Sequence, residues 1–239
     1  MKSFLTSGRR TAQWVWTSRA CRIRPWIVAN SVPKSGTHLA KAILRGAGFR
    51  FAGHVGDSEL RLLTQSATES RTFATAHVTR PLTGPGIRLL VFRDPVDVAF
   101  SMAVYIRGRA DHPRRALLSG MSLDDAIDLT FHGSGDLEPL SERFQRMFDW
   151  AVTSDARAIN FVTFRQDPET LLRAVGAHTE DPDAIRREIG RWNPTKRTAP
   201  VEDELEIKHR LRNSGKCHIK AAYDVYEKIQ SLTQDTEGA

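Results

Sequence analysis

Short apolar runs alternate along the chain with longer segments in which apolar and polar residues mix. The run at residues 26–30 (WIVAN) is almost continuously apolar, which is typical of a strand buried on both faces. From Thr37 onwards, apolar residues recur at positions 39, 40, 43 and 44, and this spacing predicts an amphipathic helix. The two segments together predict a strand, a tight turn and a helix.

The same alternation continues towards residue 175. Further strands are predicted at residues 72–76, 87–92 and 158–164, and helices at 95–107, 122–129, 140–151 and 169–175. Residues 195–213 are rich in charge and poor in core residues, which predicts a surface loop or lid. Strands that alternate with helices predict an α/β fold, in which a central parallel sheet lies between two layers of helices.

A length of 239 residues suits a single domain with one sizeable core, which we expect to comprise residues 26–239. Residues 1–25 contain six Lys and Arg residues and no acid. They have no apolar stretch long enough for a membrane span or a secretory signal. We expect a poorly ordered basic segment here, with a transit peptide or a membrane-surface segment as the alternatives.

The turn between the first strand and the first helix reads Pro33-Lys34-Ser35-Gly36-Thr37. Such a turn directs backbone N–H groups and a helix N-terminus at an anion, and Lys34 adds a full positive charge. In the common nucleotide-binding loop, G-x-x-x-x-G-K-[ST], the Lys follows the second glycine. Here the Lys precedes the only glycine, so the turn predicts a phosphate site unlike that of ATPases and GTPases.

A second candidate site follows the strand predicted at residues 87–92. Arg93 stands at the carboxyl end of that strand, the edge at which open α/β sheets bind ligands. Ser101 lies roughly two turns into the next helix, so both side chains can reach one phosphate monoester. The structural alternative is an ordinary strand-to-helix turn in which Asp94 caps the helix.

The charge of the chain favours anionic ligands. The formal net charge is +7, and no acid precedes Asp57, so positive charge is concentrated around the glycine turn. The alternative is a generally Arg-rich protein. Cys21 and Cys217 lie far apart and match no metal-ligand spacing, which favours a reducing compartment and no metal. We also expect no nucleic-acid partner, because aromatic residues do not alternate with basic ones along a strand.

Together, the two sites resemble those of the sulfotransferase superfamily that uses 3′-phosphoadenosine 5′-phosphosulfate (PAPS). Residues 33–37 match the PKSGT loop of that family, and residues 93–101 (RDPVDVAFS) are similar to its R-[ND]-P-x-D-V-x-x-S segment. Residues 30–39 are more like bacterial members than animal cytosolic ones. The resemblance implies a sheet related to that of P-loop kinases, PAPS as the sulfuryl donor, its product PAP, and no metal.

The resemblance also implies which residues contact the nucleotide. The 5′-phosphosulfate would contact the loop and the first helical turn, that is Lys34, Ser35, Gly36, Thr37 and His38. Residues 212–220 (RNSGKCHIK) resemble a degraded form of the segment R-K-G-x-x-G-x-W-K, which closes over the 3′-phosphate. The 3′-phosphate would therefore contact Arg93, Ser101, Arg212, Gly215 and Lys216.

A catalytic base is expected between the two motifs. In the cytosolic branch of the family, a strand ending in K-T-H presents the base, and residues 75–77 (TAH) occupy the corresponding place. A neutral imidazole can take a proton from an alcohol at pH 7. We therefore predict His77 as the base and Lys34 as the group that stabilises the leaving phosphate. His38 and His54 are the alternative bases.

The chain departs from the family pattern at three further positions. Thr75 stands where the family has a cationic Lys, Leu39 replaces a Trp that stacks on adenine, and Phe164 lacks a Tyr hydroxyl. These departures leave two alternatives to a sulfotransferase that acts on a hydroxyl or amine. One is a non-catalytic module that binds PAP or another anion. The less favoured one is a P-loop nucleotide kinase.

The residues do not specify the acceptor, which belongs to the small molecules, glycans or lipids. The basic charge mildly favours an acceptor that is acidic or already sulfated. We expect a cytoplasmic protein, with residues 1–25 as the segment that would contact a membrane surface.

Overall fold

The computed structural model describes residues 24–57, 68–191 and 203–234. The strands are β1 (Arg24–Ser31), β2 (Arg50–Val55), β3 (Thr68–Ala76), β4 (Ile87–Phe92) and β5 (Arg157–Asn160). The helices are α1 (Thr37–Gly46), α2 (Pro95–Gly108), α3 (Arg115–Leu118), α4 (Leu123–His132), α5 (Leu140–Thr153), α6 (Phe161–Gln166), α7 (Pro168–Ala174), α8 (Pro182–Arg191), α9 (Glu204–Arg212) and α10 (Cys217–Gln234). The basic segment expected before residue 26 lies almost entirely outside these ranges.

The strands form one parallel sheet in the order β2-β3-β1-β4-β5. At its centre, Asn30 of β1 pairs with Ala76 of β3 and with Leu90 of β4. The strands therefore end near one edge, and the residues that follow β1, β3 and β4 begin from that edge. This register brings together segments that are far apart in the sequence.

Apolar side chains cover both faces of the sheet. On β1, Ile27 and Ala29 pack with α1, α7 and α8, whereas Val28 packs with α2, α4, α5 and α10. Leu89 and Leu90 of β4 divide between the two faces in the same way. This alternation is that of a parallel strand buried on both sides. The predicted α/β fold, with a parallel sheet between two helical layers, is confirmed.

Two local predictions are wrong. The strand expected at residues 158–164 ends at Asn160, whose side chain accepts a hydrogen bond from the Val162 backbone and caps α6. The apolar run continues past the end of the strand because α6 places one of its residues, Phe164, in the core.

The second concerns residues 195–213, of which 195–202 lie outside the described ranges. Residues 204–212 form α9, which is stabilised by a Lys208–Glu204 pair and by the burial of Leu211.

Candidate functional site

The glycine turn joins β1 to α1 with an unusual backbone. Lys34 and Gly36 both have positive φ, 73° and 105° respectively, and the Ser35 N–H donates to the Val32 carbonyl at 3.1 Å. Gly36 gives no side-chain cap to α1, and the first turn of that helix carries no acid. The positive end of α1 is therefore not neutralised by its own first turn, as an anion site requires.

Ser35 lies inside this turn and is fully buried. Its Oγ has no hydrogen-bond partner in the part of the chain that the structure describes. A buried polar group left unpaired costs about 1–3 kcal/mol, which a phosphate oxygen accepting from the hydroxyl would recover. Because the hydroxyl is fully covered, that contact requires a small shift of the turn.

Phe161, the first residue of α6, joins the two motifs. A Cβ added to Gly36 would lie 2.2 Å from Cδ2 of the Phe161 ring, so the ring packs directly on the glycine. The Arg93 guanidinium carbon lies 4.7 Å from the centroid of the same ring. Sequence reasoning missed Phe161, because it lies in the apolar run that was interpreted as a strand. The glycine turn and Arg93 thus meet across one aromatic side chain.

Lys34 makes a second connection between the motifs. Its Nζ lies 3.0 Å from the centroid of the Tyr105 ring on α2. Ser101 is one helical turn before Tyr105, and residues four apart lie on the same face of a helix. The face of α2 that carries Ser101 is therefore the face next to the lysine of the turn.

His77 is the residue after the end of β3, and it lies beside the glycine turn. Its Nδ1 is 2.7 Å from the Ser31 carbonyl oxygen, so Nδ1 carries the proton and donates it. The Ser31 Oγ lies 2.6 Å from the Thr37 Oγ1, which ties this strand end to the first residue of α1. The remaining nitrogen, Nε2, keeps its lone pair, which is the form that a base needs.

Burial lowers the pKa of His77 to about 4, although the hydrogen bond to the Ser31 carbonyl acts in the opposite direction. Electrostatic interactions with His54, Arg143 and His38 lower the pKa of His77 further. His77 is therefore neutral at pH 7.

Asn30 fixes the position of His77 through hydrogen bonds to neighbouring backbone groups. Its side chain is fully buried, and its Nδ2 donates to the Val78 carbonyl at 2.8 Å. Its Oδ1 accepts from the backbone N–H groups of Val78 and Ser31, each at 3.0 Å. The Asn30 amide thus hydrogen-bonds to Val78, the residue after His77, and to Ser31, whose carbonyl orients the imidazole. Sequence reasoning gave Asn30 no role, since a polar residue inside an apolar run carries no signal of its partners.

The two alternative bases are both exposed. The His54 ring centroid lies 4.9 Å from that of His77, and its Nδ1 is 3.0 Å from the Thr75 Oγ1. The Thr75 hydroxyl therefore contacts His54 next to His77. His38 lies in the first turn of α1, close enough to His77 to lower its pKa.

Arg143 of α5 adds a positive charge near His77. Its side chain is largely buried and lies 3.3 Å from the Glu138 carboxylate, which also contacts Arg146. Burial lowers the pKa of Arg143, and the charge of Arg114 lowers it further. The surroundings of His77 are therefore positively charged.

A cluster of charged residues covers the edge beyond β4. Arg93 contacts Asp97, and Arg212 contacts both Asp97 and Asp94. The hydroxyl of Tyr223 on α10 donates to the Asp94 Oδ2 at 2.8 Å. The structure therefore brings Arg212 to the site of Arg93.

Gly215 and Lys216, the other two predicted phosphate contacts in residues 212–220, lie in a different environment from Arg212. Lys216 contacts Asp128 of α4 at 2.6 Å, and His218 contacts the same carboxylate at 2.9 Å. Gly215 has a φ of +66° in the turn before α10. Lys216 is thus paired with α4, whereas Arg212 is paired with the residues that begin α2.

Leu39 and Phe164 both belong to the core cluster on the α1 face of the sheet. Within the described ranges, no helix is both long and apolar enough to cross a membrane. In the same residues, no group of three or more His, Cys, Asp and Glu side chains is arranged to hold a metal ion.

No protein-family model matches the chain, and no curated protein matches it. Among solved structures, the mouse sulfotransferase SULT7A1 complexed with PAP matches with a TM-score of 0.49 and 15% sequence identity. The match covers 78% of this chain and 72% of that chain. The function proposed below rests on the residues of this chain and not on that similarity.

Proposed function

We propose that this protein is a sulfotransferase that moves the sulfuryl group of PAPS to a hydroxyl or amine. The observation that carries the proposal is the meeting of the two phosphate motifs across Phe161, beside His77 at the same sheet edge. Each motif resembles that of the PAPS-dependent family, and a functional pair requires that both face one ligand.

The residues present fit the phosphates of such a nucleotide. The turn at residues 33–37 presents the N-terminus of α1, which has no side-chain cap, and Ser35 offers a buried hydroxyl that has no partner in the described residues. Glycine is required at position 36 because its φ is +105° and because the Phe161 ring occupies the space of a side chain. Arg93, Ser101 and Arg212 would hold the 3′-phosphate, because a guanidinium fork suits its oxygens.

When bound, PAPS would supply a sulfuryl group that is activated by its bond to the 5′-phosphate. The protein's own part is to move a proton and to stabilise charge. Nε2 of His77 accepts the proton of the acceptor hydroxyl while Nδ1 stays bonded to the Ser31 carbonyl. Lys34 and the N–H groups at the start of α1 would stabilise the negative charge that grows on the leaving phosphate oxygen.

The positive charges around His77 favour an acceptor that carries an anionic group of its own. Arg143 is largely buried and shares Glu138 with Arg146, so one carboxylate serves two guanidinium groups. A carboxylate, phosphate or sulfate on the acceptor would balance that excess. Acceptors should therefore be tested as pairs that differ only in this charge.

The first experiment compares the thermal stabilisation by PAP with that by ATP or ADP with Mg²⁺. A ligand that binds only the folded state raises the melting temperature, and at equal concentration a tighter ligand raises it more. We expect a clear increase with PAP and a smaller one with ATP or ADP. Equal increases, or none, would contradict the nucleotide assignment, and a preference for ATP with Mg²⁺ would favour the kinase alternative.

The second experiment measures transfer of labelled sulfate from PAPS to extracted metabolites and to charge-matched acceptor pairs. His77→Ala should abolish transfer but keep PAP binding, whereas Lys34→Ala should weaken both. The exposed residues His178 and Lys228 provide matched control variants, His178→Ala and Lys228→Ala. PAP binding without any transfer would favour the non-catalytic module.

A further inference from the structure

Asp97 contacts three cationic side chains, whose total charge exceeds that of one carboxylate. Its Oδ2 lies 3.3 Å from both Nε and Nη2 of Arg93. Its Oδ1 lies 2.8 Å from the Nζ of Lys208 and 3.4 Å from Nη2 of Arg212. Burial alone would raise the pKa of Asp97, but the hydrogen bond from Lys208 and the surrounding positive charges lower it. The carboxylate is therefore ionised.

The contacts of Asp97 differ in strength. Charge-assisted hydrogen bonds are usually about 2.7–2.9 Å long, so the contact from Lys208 is a close one and both contacts from Arg93 are loose. The Lys208 side chain is 9% exposed, and its Nζ lies 4.9 Å from the Phe100 ring centroid. In such a location solvent screens the Lys208–Asp97 attraction less than it would at the surface.

The acids of this cluster balance its cations. Arg93, Lys208 and Arg212 face three carboxylates, which are those of Asp94, Asp97 and Glu204. A dianionic phosphate can form an ion pair with Arg93 only if another cation balances the charge of Asp97. Lys208 is placed to be that cation, since it has the closest contact with Asp97.

We propose that Lys208 is a positioning residue of the 3′-phosphate site, which holds Asp97 so that the Arg93 guanidinium is available to the nucleotide. The inference rests on the proposed function, because it takes Arg93 as a phosphate ligand. Lys208 acts through Asp97, since both of its ion-pair contacts are to carboxylates of the protein. Without Lys208, Asp97 draws Arg93 to itself and competes with the phosphate.

The experiment is a double-mutant cycle on PAP affinity, measured by titration calorimetry on the full chain. Lys208→Met should weaken PAP binding by at least about tenfold, because Asp97 then draws Arg93 to itself and away from the phosphate. Asp97→Asn should bind PAP at least as tightly as the wild type. Lys208→Met combined with Asp97→Asn should recover affinity to within about threefold of Asp97→Asn alone.

A matched variant separates this reasoning from a simple effect of net charge. Lys208→Met combined with Glu204→Gln restores the same net charge but leaves Asp97 without its cation. We expect rescue by Asp97→Asn and none by Glu204→Gln. Equal rescue by the two would overturn the proposal in favour of general electrostatics, and wild-type affinity of Lys208→Met would overturn it outright.

Two further observations keep the result decisive. Lys208→Arg retains the charge and should keep PAP affinity near that of the wild type even if Lys208→Met does not fold. A Lys208→Arg variant that folds but binds PAP as weakly as an Arg93→Gln variant contradicts the inference. If the wild type binds no PAP, both the proposed function and this inference are wrong. If it binds PAP and the cycle shows no coupling, only the inference is wrong.

Discussion

Gly36→Ala is expected to destabilise the protein through two separable effects. The first is backbone strain, because an L-residue at a φ of +105° costs about 1–2 kcal/mol. The second is overlap, because the new Cβ would lie 2.2 Å from Cδ2 and 2.9 Å from Cε2 of Phe161. Overpacking of this kind costs about 1–3 kcal/mol. The free energy of unfolding should therefore fall by about 2–5 kcal/mol in total.

Gly48→Ala is the matched control for this variant. Gly48 has a φ of +84°, and a Cβ built on it meets nothing within 4 Å, so the substitution carries the strain without the overlap. It should cost about 1–2 kcal/mol. Urea unfolding followed by circular dichroism measures both losses. In a domain of this size each kcal/mol also lowers Tm by about 2–4 °C.

The overlap itself is tested by removing the ring. In a Gly36→Ala, Phe161→Ala double variant the clash is absent, so the loss should be smaller than the sum of the single losses by about 1–3 kcal/mol. Two results would refute the reasoning. One is an equal loss for Gly36→Ala and Gly48→Ala. The other is simple additivity of Gly36→Ala and Phe161→Ala.

Three other variants test the environment of the site. The pKa of His77 in the folded state, about 4, lies below its unfolded value, so the unfolded state binds more protons between pH 6.5 and 4. Stability should fall by about 3 kcal/mol as the pH drops through this interval, and His77→Gln should remove that part of the urea-measured pH dependence. In the same assay, Asn30→Ala should lower the free energy of unfolding by about 2–4 kcal/mol, because it leaves buried backbone groups of Val78 and Ser31 unpaired. A smaller decrease than that of a substitution at an exposed residue would contradict this account. Tyr223→Phe should cost about 1 kcal/mol by removing the hydrogen bond to Asp94, and unchanged stability would show that bond to be without net effect.

The fold and part of the site could be predicted because their signals are local. A strand buried on both faces needs a run of apolar residues, and a glycine turn before a helix needs its glycine at a fixed place. The sequence also led to His77 and Arg93, since both follow strands that end at one edge of a parallel sheet. Each of these residues could be placed from its neighbours in the chain.

The remaining residues could not be predicted because their roles depend on contacts between distant segments. Lys208 looks like a solvated surface charge until α9 packs against α2 and places it beside Asp97. Phe161 lies in an apolar run that suits a strand or a helix equally well. The capping side chain of Asn160 ends β5 there, and this puts the Phe161 ring on Gly36 rather than in the sheet.

The position of Lys208 and Arg212 on α9 has a consequence for the order of folding. During synthesis, the strands of the sheet are complete at Asn160, well before α9 has been made. The glycine turn and His77 can therefore take their places while two of the cations that contact Asp97, Lys208 and Arg212, are still absent. Completion of the charged cluster around Asp97 is thus a late event, which depends on the docking of α9.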